Sequence, residues 1–208
     1  MKKTGKWLLI LSLFFCSCSR QENVDFLGDS IGNLDLSDTE IGLDFALRKI
    51  DSKTLLHLIE SNGYSYDSRK KIGDTIRKSR KLFLSVGMYD LLKNVGLENG
   101  DLVFRYHSST LELFEMNLVH IVDAIRSYNE EASILIFSLY HPYEKSGRLF
   151  YDDFTLGLDL FNRCIEEVCE ENRCRYIDIS ACSSNIESFN CFDANGLEKL
   201  TETIAQYE

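Results

Sequence analysis

The stretch Val24-Asp25-Phe26-Leu27-Gly28-Asp29-Ser30-Ile31-Gly32 decides the fold that this sequence predicts. An apolar run that ends at Gly-Asp-Ser is typical of a short buried strand followed by a tight turn. In α/β proteins, ligand-binding and catalytic groups lie just beyond the carboxyl ends of the strands. The hydroxyl of Ser30 is therefore the first candidate functional group.

Strands and helices alternate through the rest of the chain. Strands are predicted at 24–27, 82–86, 134–139 and 176–179, and residues 55–59 are either a further strand or the end of a helix. Helices are predicted at 43–50 and near 67–79, 110–128, 153–171 and 195–206. This alternation predicts the α/β class, as a three-layer α/β/α sandwich around a parallel five-stranded sheet of order 2-1-3-4-5.

The first residues are typical of an export signal. Lys2, Lys3 and Lys6 precede an apolar run over 7–15 that is too short to span a bilayer. Cleavage before Cys18 resembles the processing of a bacterial lipoprotein, in which this cysteine is lipidated. The alternative is ordinary secretion, with Cys18 as a bystander. The expected organisation is a signal peptide over 1–17, a tether over 18–23 and one domain over 24–208.

The negative charge of the chain argues against two classes of partner. The formal net charge is −10, and removal of residues 1–17, which carry three lysines and no acid, takes it to −13. An acidic body argues against a nucleic-acid partner. It also argues against adhesion to an anionic membrane by charge, so the expected membrane contact is an N-terminal lipid on the extracytoplasmic face.

Cysteine spacing predicts neither a metal site nor a cofactor site. Beyond Cys18 the chain carries Cys164, Cys169, Cys174, Cys182 and Cys191. Five is an odd number, so at least one thiol stays free or pairs between molecules, and the pairing itself is left open. No Cys-x-x-Cys motif or nearby histidine marks a zinc site, and a redox function is weakly supported for the same reason.

Four segments, in order, resemble the SGNH or GDSL hydrolase family. Residues 26–30 are similar to its nucleophile block, and residues 84–91 are similar to its third block. Residues 139–143 resemble a Tyr-Asn-Pro segment of its Gram-positive lipoprotein branch, and residues 196–200 resemble the helix after its catalytic histidine. The resemblance spans about 24–206 and implies a flavodoxin-like hydrolase that acts on acyl esters of lipids, glycans or small molecules through Ser30.

The same resemblance implies that the usual catalytic triad is degenerate. A serine hydroxyl needs a histidine to take its proton and an acid to orient that histidine. Family spacing places the histidine at Cys191 and the acid at Ser188, and no histidine follows His141. A thiol near its reference pKa of about 8.5 is mostly neutral and is a poor replacement for imidazole.

The resemblance also implies altered oxyanion-hole positions, at Ser30, Tyr66 and Tyr89. Tyr66 takes the place of the second-block glycine and keeps the backbone N–H that such a glycine donates. Tyr89 takes the place of an asparagine, and its phenol cannot put a donor at the same point. Losing one such donor typically costs about 10²–10³ in turnover, whereas losing a triad histidine costs about 10⁶. The missing histidine is therefore expected to lower turnover more than the altered oxyanion hole does.

His141 could act as a relocated base. It follows the fourth strand of the sheet, roughly 10 Å from the strand that ends at Ser30, since neighbouring strands lie about 4.8 Å apart. Asp90 or Asp152 could then orient it. The alternative is that His141 only packs or caps at the strand end.

Two hypotheses about function remain. The first is a cell-surface ester hydrolase of the SGNH type with weak or altered activity. The second is a non-catalytic relative that binds a small-molecule or acyl ligand in the same cleft. Its predicted aromatic rim consists of Tyr64, Tyr66, Tyr89, Tyr140 and Tyr143.

Overall fold

A computed structural model describes residues 23–29, 41–47, 49–66, 68–141, 149–180 and 194–207. Its strands are β1 (Val24–Asp29), β2 (Ile41–Leu47), β3 (Lys81–Ser85), β4 (Val95–Glu98), β5 (Asp101–Phe104), β6 (Ser133–Phe137) and β7 (Arg175–Ile177). Its helices are α1 (Ser52–Glu60), α2 (Ile72–Lys78), α3 (Met88–Leu92), α4 (Ser108–Tyr128), α5 (Leu149–Glu171) and α6 (Ala194–Ala205).

The central sheet has five strands in the order β2-β1-β3-β6-β7, and every pairing is parallel. This confirms the α/β class and the predicted strand order. Helices connect β2 to β3, β3 to β6 and β6 to β7, and they return the chain to the edge where the next of these strands starts. All five carboxyl ends therefore meet at one edge of the sheet, which we call the carboxyl edge. The strand starts form the opposite amino edge.

Aromatic side chains fill the core on the inner strands. The Phe137 ring stacks on those of Phe26 and Phe83, with centroid distances of 6.1 and 5.6 Å, and all three side chains are buried. Between α4 and α5, the rings of Phe114 and Phe161 stack at 4.9 Å. Burying such side chains contributes about 1.5–3 kcal/mol each, so these contacts fix the two helices and the sheet.

The second strand differs from the sequence prediction. Residues 41–47 form β2 rather than part of a helix at 43–50, and residues 55–59 belong to α1. Asp51 caps α1, because its carboxylate accepts the N–H of Thr54 at 2.9 Å. The chain therefore leaves the carboxyl edge of the sheet after β2 and returns along α1 to the amino edge.

A small hairpin, β4–β5, was not predicted. Its turn consists of Asn99 and Gly100, with φ of 52° and 91°, which matches the left-handed residues of a two-residue hairpin turn. Gly157 lets α5 approach this hairpin, because a Cβ there would overlap the ring of Phe104. The hairpin therefore extends the carboxyl edge of the sheet beside α5.

Two cysteines of α5 have side chains buried in the protein core. Cys164 and Cys169 are buried free thiols, and burial raises the pKa of each to about 12. Cys174 is half-buried and also free, whereas Cys18, Cys182 and Cys191 lie outside the described residues. None of the described helices combines the length and apolarity that crossing a membrane requires.

Candidate functional site

The carboxyl edge of β1 is shaped by a glycine. Gly28 has a φ of 106°, and a Cβ there would overlap the backbone carbonyl of Ser85, its partner in β3. Only glycine combines this left-handed conformation with such a close approach of two strands. The glycine of the Gly-Asp-Ser motif therefore lets the chain turn where β1 and β3 end.

A second glycine shapes the turn after β3. Gly87 has a φ of 115° and precedes α3, and a Cβ there would lie 2.8 Å from the ring of Phe114. The half-buried Tyr89 follows in α3, at the carboxyl edge as the sequence predicted. The two segments that resemble family blocks thus meet at neighbouring strand ends.

Asp29 is the described member of the nucleophile block closest to Ser30. Its side chain is 8% exposed and accepts the backbone N–H of Lys49 at 3.3 Å. Burial raises the pKa of Asp29 to about 7, although the Lys49 bond acts in the opposite direction. At neutral pH this carboxyl group is therefore partly protonated.

Sequence reasoning missed Lys49. It follows the carboxyl end of β2 closely, has a φ of 60°, and directs its N–H to the side chain of Asp29. A non-glycine residue in this conformation is uncommon and often marks a functional turn. Lys49 was missed because residues 43–50 were interpreted as a helix. That interpretation put no strand end, and therefore no candidate site residue, near position 49.

Several predicted site residues lie outside the described residues. They are Ser30, Ser188, Cys191, the lipidation residue Cys18 and the rim residue Tyr143. The roles assigned to them stay predictions.

Tyr66 lies away from this site, which corrects its assignment to the oxyanion hole. It is 93% exposed, in the turn that the bridge between Tyr64 and Lys71 closes. Tyr64 lines a cavity together with Asn23 and Val24, where β1 begins. Tyr64 and Tyr66 therefore belong to the amino edge, because α1 has carried the chain across the molecule before they occur.

His141 is held by ring packing. Its imidazole stacks on Tyr151 with a centroid distance of 4.0 Å and meets the ring of Phe154 edge-on at 5.0 Å. Two residues earlier, the side chain of Asn162 bonds both the N–H and the carbonyl of Leu139, at 2.6 and 3.0 Å. This geometry gives His141 a packing role, and its role as a relocated base stays a prediction, because Ser30 lies outside the described residues.

The two proposed orienting carboxylates face other partners or solvent. Asp90 is 2% exposed and accepts the N–H and hydroxyl of Ser52 at 2.8 and 3.0 Å, and also the Nζ of Lys93 at 3.2 Å. Asn117 donates to the same Ser52 hydroxyl at 2.9 Å. Burial raises the pKa of Asp90, and the Ser52 N–H and Lys93 oppose it. Asp90 therefore ties α3 to the first turn of α1, while Asp152 is exposed on α5.

An apolar cavity of about 460 Å³ opens between the hairpin and α5. Its apolar lining includes Phe104, Tyr106, Leu156 and Leu160. Tyr106 is 42% exposed and was not predicted as a rim residue, whereas the predicted Tyr140 is only 7% exposed. Among the described residues, the exposed aromatic side chain that lines this cavity is therefore Tyr106.

The charged side chains of this cavity are Asp153, Asp159 and Arg163. Among the residues that the structure describes, no cluster of three histidine, cysteine, aspartate or glutamate side chains is arranged to hold a metal ion.

Solved structures of lipases and esterases share this fold. A GDSL-like lipase from Bacteroides thetaiotaomicron is 14% identical, with a TM-score of 0.62, over 90% of this chain and 88% of that chain. An extracellular lipase from Streptomyces rimosus is 12% identical, with a TM-score of 0.54, over 88% of this chain and 99% of that chain. A catalytic mutant of an acetylxylan esterase from Geobacillus stearothermophilus is 12% identical, with a TM-score of 0.57, over 89% and 93%.

No protein-family model matches the sequence, and no curated protein matches it either. The structural likeness therefore rests on the arrangement of strands and helices, and it establishes the fold. The resemblance to the SGNH or GDSL hydrolases is confirmed at that level.

Proposed function

We propose that this protein is an ester hydrolase of the SGNH type with Ser30 as its nucleophile and with weak or altered activity. The observation that carries the proposal is the backbone at Gly28, which has a left-handed φ and lies close to Ser85 at the carboxyl end of β1. Asp29 ends this strand, and Ser30 follows it in the sequence. The carboxyl end of such a strand is where α/β hydrolytic sites are built. The lipase and esterase names of the structural neighbours support the same class.

The reaction would proceed through an acyl-enzyme. The Ser30 oxygen attacks the acyl carbonyl, a base accepts the hydroxyl proton, and the alkoxide leaves as an alcohol after taking up a proton. Water then attacks the acyl-serine and releases the carboxylic acid. Without a histidine at the usual position, proton transfer is the step that slows both halves, which is the reason to propose weak or altered turnover.

The cavity beside the hairpin suits an apolar acyl group or a small acylated ligand. Its volume of about 460 Å³ falls within the range of small-molecule sites. The exposed Tyr106 at its rim presents an apolar ring with a polar end, a combination that suits an acylated sugar as well as a lipid.

The proposed location is the extracytoplasmic face of a membrane, with a lipid on Cys18. The export-type residues over 1–17 and the position of Cys18 support this part of the proposal. Mass spectrometry of the protein purified from bacterial membranes tests it. Loss of residues 1–17 together with acyl mass on Cys18 is expected, whereas an unmodified Cys18 would leave ordinary secretion as the explanation.

Labelling with a fluorophosphonate tests the serine mechanism. The purified wild-type protein is expected to incorporate the probe and to hydrolyse short-chain p-nitrophenyl esters, because both reactions require a nucleophilic serine. Ser30→Ala should lose both signals while keeping the wild-type circular dichroism spectrum. A folded wild-type protein that takes up no probe would overturn the proposal.

The alternative is a non-catalytic ligand-binding protein. The stacking of His141 on Tyr151 and its edge contact with Phe154 support it, because they give this histidine a packing role that needs no proton transfer. In that case the cavity beside the hairpin keeps a binding role. Thermal-shift measurements with fatty acids and acetylated sugars would then show stabilisation of an unlabelled protein.

Two substitutions at His141 separate packing from proton transfer. We expect His141→Phe to keep both stability and fluorophosphonate labelling, because phenylalanine preserves the ring contacts. His141→Ala should lower the free energy of unfolding by about 1–3 kcal/mol, since the stacked ring is only half-buried, and should still label. Chemical denaturation and labelling measure the two effects. If His141→Phe folds but fails to label, His141 is the base after all.

A further inference from the structure

The chain carries a concentrated basic segment in an otherwise acidic sequence. Seven of the residues between 69 and 81 are basic, against one acid, Asp74, while the whole chain has a net charge of −10. The seven are Arg69, Lys70, Lys71, Arg77, Lys78, Arg80 and Lys81. Salt screens electrostatic interactions beyond a Debye length of about 8 Å. A basic segment can therefore attract anions at its own surface although the net charge of the whole chain is negative.

This segment lies at the amino edge, opposite the candidate site. It includes the end of the turn before α2, α2 itself and the start of β3. Four of its residues line a cavity of about 600 Å³, whose lining also includes Asn23, Val24 and the acids Asp25, Asp44 and Asp74. These four are Arg69, Lys70, Lys71 and Lys78. Lys70 pairs with Asp44 and Arg77 pairs with Asp74, so part of the positive charge is compensated locally.

Two exposed tyrosines accompany the positive charge. Tyr66 is 93% exposed and Tyr64 is 61% exposed, in the turn that leads into the basic segment. The Nζ of Lys71 lies 5.4 Å from the centroid of the Tyr64 ring. Tyrosine side chains are enriched at membrane–water interfaces, because their rings are apolar while their hydroxyls stay hydrated. Basic and interfacial aromatic side chains therefore share one surface.

The described chain also enters the fold at this edge. Asn23 precedes β1 and lines the same cavity, and Cys18 is five residues earlier in the sequence. Five residues reach at most about 18 Å. A lipid on Cys18 would therefore keep the start of β1, at the amino edge, within about 18 Å of a bilayer.

We propose that the surface formed by Tyr64, Tyr66, Arg69, Lys70, Lys71 and Lys78, the amino-edge surface, binds anionic phospholipid at a membrane. The candidate site at the carboxyl edge then faces away from the bilayer. Each lysine or arginine near such a surface strengthens binding, and the effect falls off within a Debye length. The acids Glu130 and Glu131 lie further along the same edge, beside β6, which confines the contact to the β1–β2–β3 side.

Vesicle binding by residues 19–208 tests the surface without the lipid and without any catalytic readout. Every described core side chain lies between Val24 and Ile204, so this fragment retains the whole core. We expect it to co-sediment with vesicles of about 30% phosphatidylglycerol in phosphatidylcholine at low salt, and to be released at about 0.5 M salt. Vesicles of phosphatidylcholine alone should not bind it.

Two variants that each lose three positive charges test whether the amino-edge surface contacts the vesicle. Replacing Arg69, Lys71 and Lys78 by glutamine should lower the vesicle partition coefficient by about 100-fold, because each removes one surface charge. The control replaces Lys53, Arg105 and Lys199, which are exposed on α1, after β5 and on α6, by glutamine and removes the same total charge. The control should bind as the unmodified fragment does. Equal losses in both variants, with the circular dichroism unchanged, would overturn the proposal.

A single tryptophan reports the orientation. The only tryptophan of the chain is Trp7, so the fragment has none. Tyr66→Trp is expected to shift its emission to shorter wavelength and to be quenched by brominated lipid when vesicles are added. Leu97→Trp, which lies 73% exposed on β4 at the carboxyl edge and outside the candidate cavity, should show neither change. The reverse result, or no binding of the folded fragment to anionic vesicles, would contradict the proposed surface whether or not Ser30 is catalytic.

Discussion

Gly28→Ala is expected to lower the free energy of unfolding by more than about 3 kcal/mol. Two costs combine, because a Cβ would overlap the backbone carbonyl of Ser85 and because alanine resists a φ of 106°. The left-handed conformation alone costs an L-residue about 1–2 kcal/mol, and the overlap forces β1 and β3 apart. Chemical denaturation monitored by circular dichroism measures the loss.

Two other glycines separate these costs. Gly100 has a φ of 91° with no atom near the position of its Cβ, so Gly100→Ala should cost only about 1–2 kcal/mol. At Gly96 the nearest atom would lie 3.8 Å away, an ordinary contact, so Gly96→Ala should change stability by less than about 0.5 kcal/mol. A Gly28→Ala variant no less stable than Gly100→Ala would show that the strand ends are not packed as described.

The stability of the protein should fall as pH rises from about 4 to about 7, and Asp29 should account for a large part of the change. Its pKa in the folded state is about 7, above the reference value of 3.8, so the folded state binds the proton more tightly than the unfolded state does. The stabilisation is complete below pH 4 and is lost as pH rises through 7. A difference of this size corresponds to at most about 4 kcal/mol.

Asp29→Asn should remove this component of the pH dependence. The amide cannot ionise, so the variant is expected to be more stable than the wild-type protein at pH 8 and to lose less stability between pH 4 and pH 8. Denaturation midpoints and slopes across that range measure both. Asp159→Asn, which removes an exposed carboxylate from α5, is the matched control for the loss of one charge. If the stability of Asp29→Asn changes with pH as that of the wild-type protein does, ionisation of Asp29 is not the cause of the pH dependence.

The sequence predicted the central strands well because their burial leaves a clear pattern. β3 and β6 are continuous apolar runs bounded by polar turns, which indicate strands buried on both faces of a parallel sheet. β2 was missed because four apolar residues lie at helical spacing there, although the buried side chains of this edge strand are those of Ile41 and Phe45. The four residues are Leu43, Ala46, Leu47 and Ile50. Asn99-Gly100 was a readable hairpin signal that the prediction overlooked.

The candidate site was harder to predict than the fold. Once β2 was misread, the second block was sought among residues 62–66, and Tyr66 was assigned to the wrong edge of the sheet. The carboxyl end of β2 instead places Lys49 against Asp29, a contact that requires knowing where two separate strands end. The partners of Asp90 come from α1 and α3, and no local pattern in the sequence announces them.

The buried thiols of α5 bear on how the chain would survive export. A protein made in a reducing compartment and delivered to an oxidising one carries reduced cysteines across, and only thiolates exchange readily with disulfides. In the folded domain, Cys164 and Cys169 are shielded from solvent and held as neutral thiols. If the chain is exported as proposed, oxidation of these two thiols must wait for α5 to open, and prompt folding after delivery would protect this helix from cross-linking.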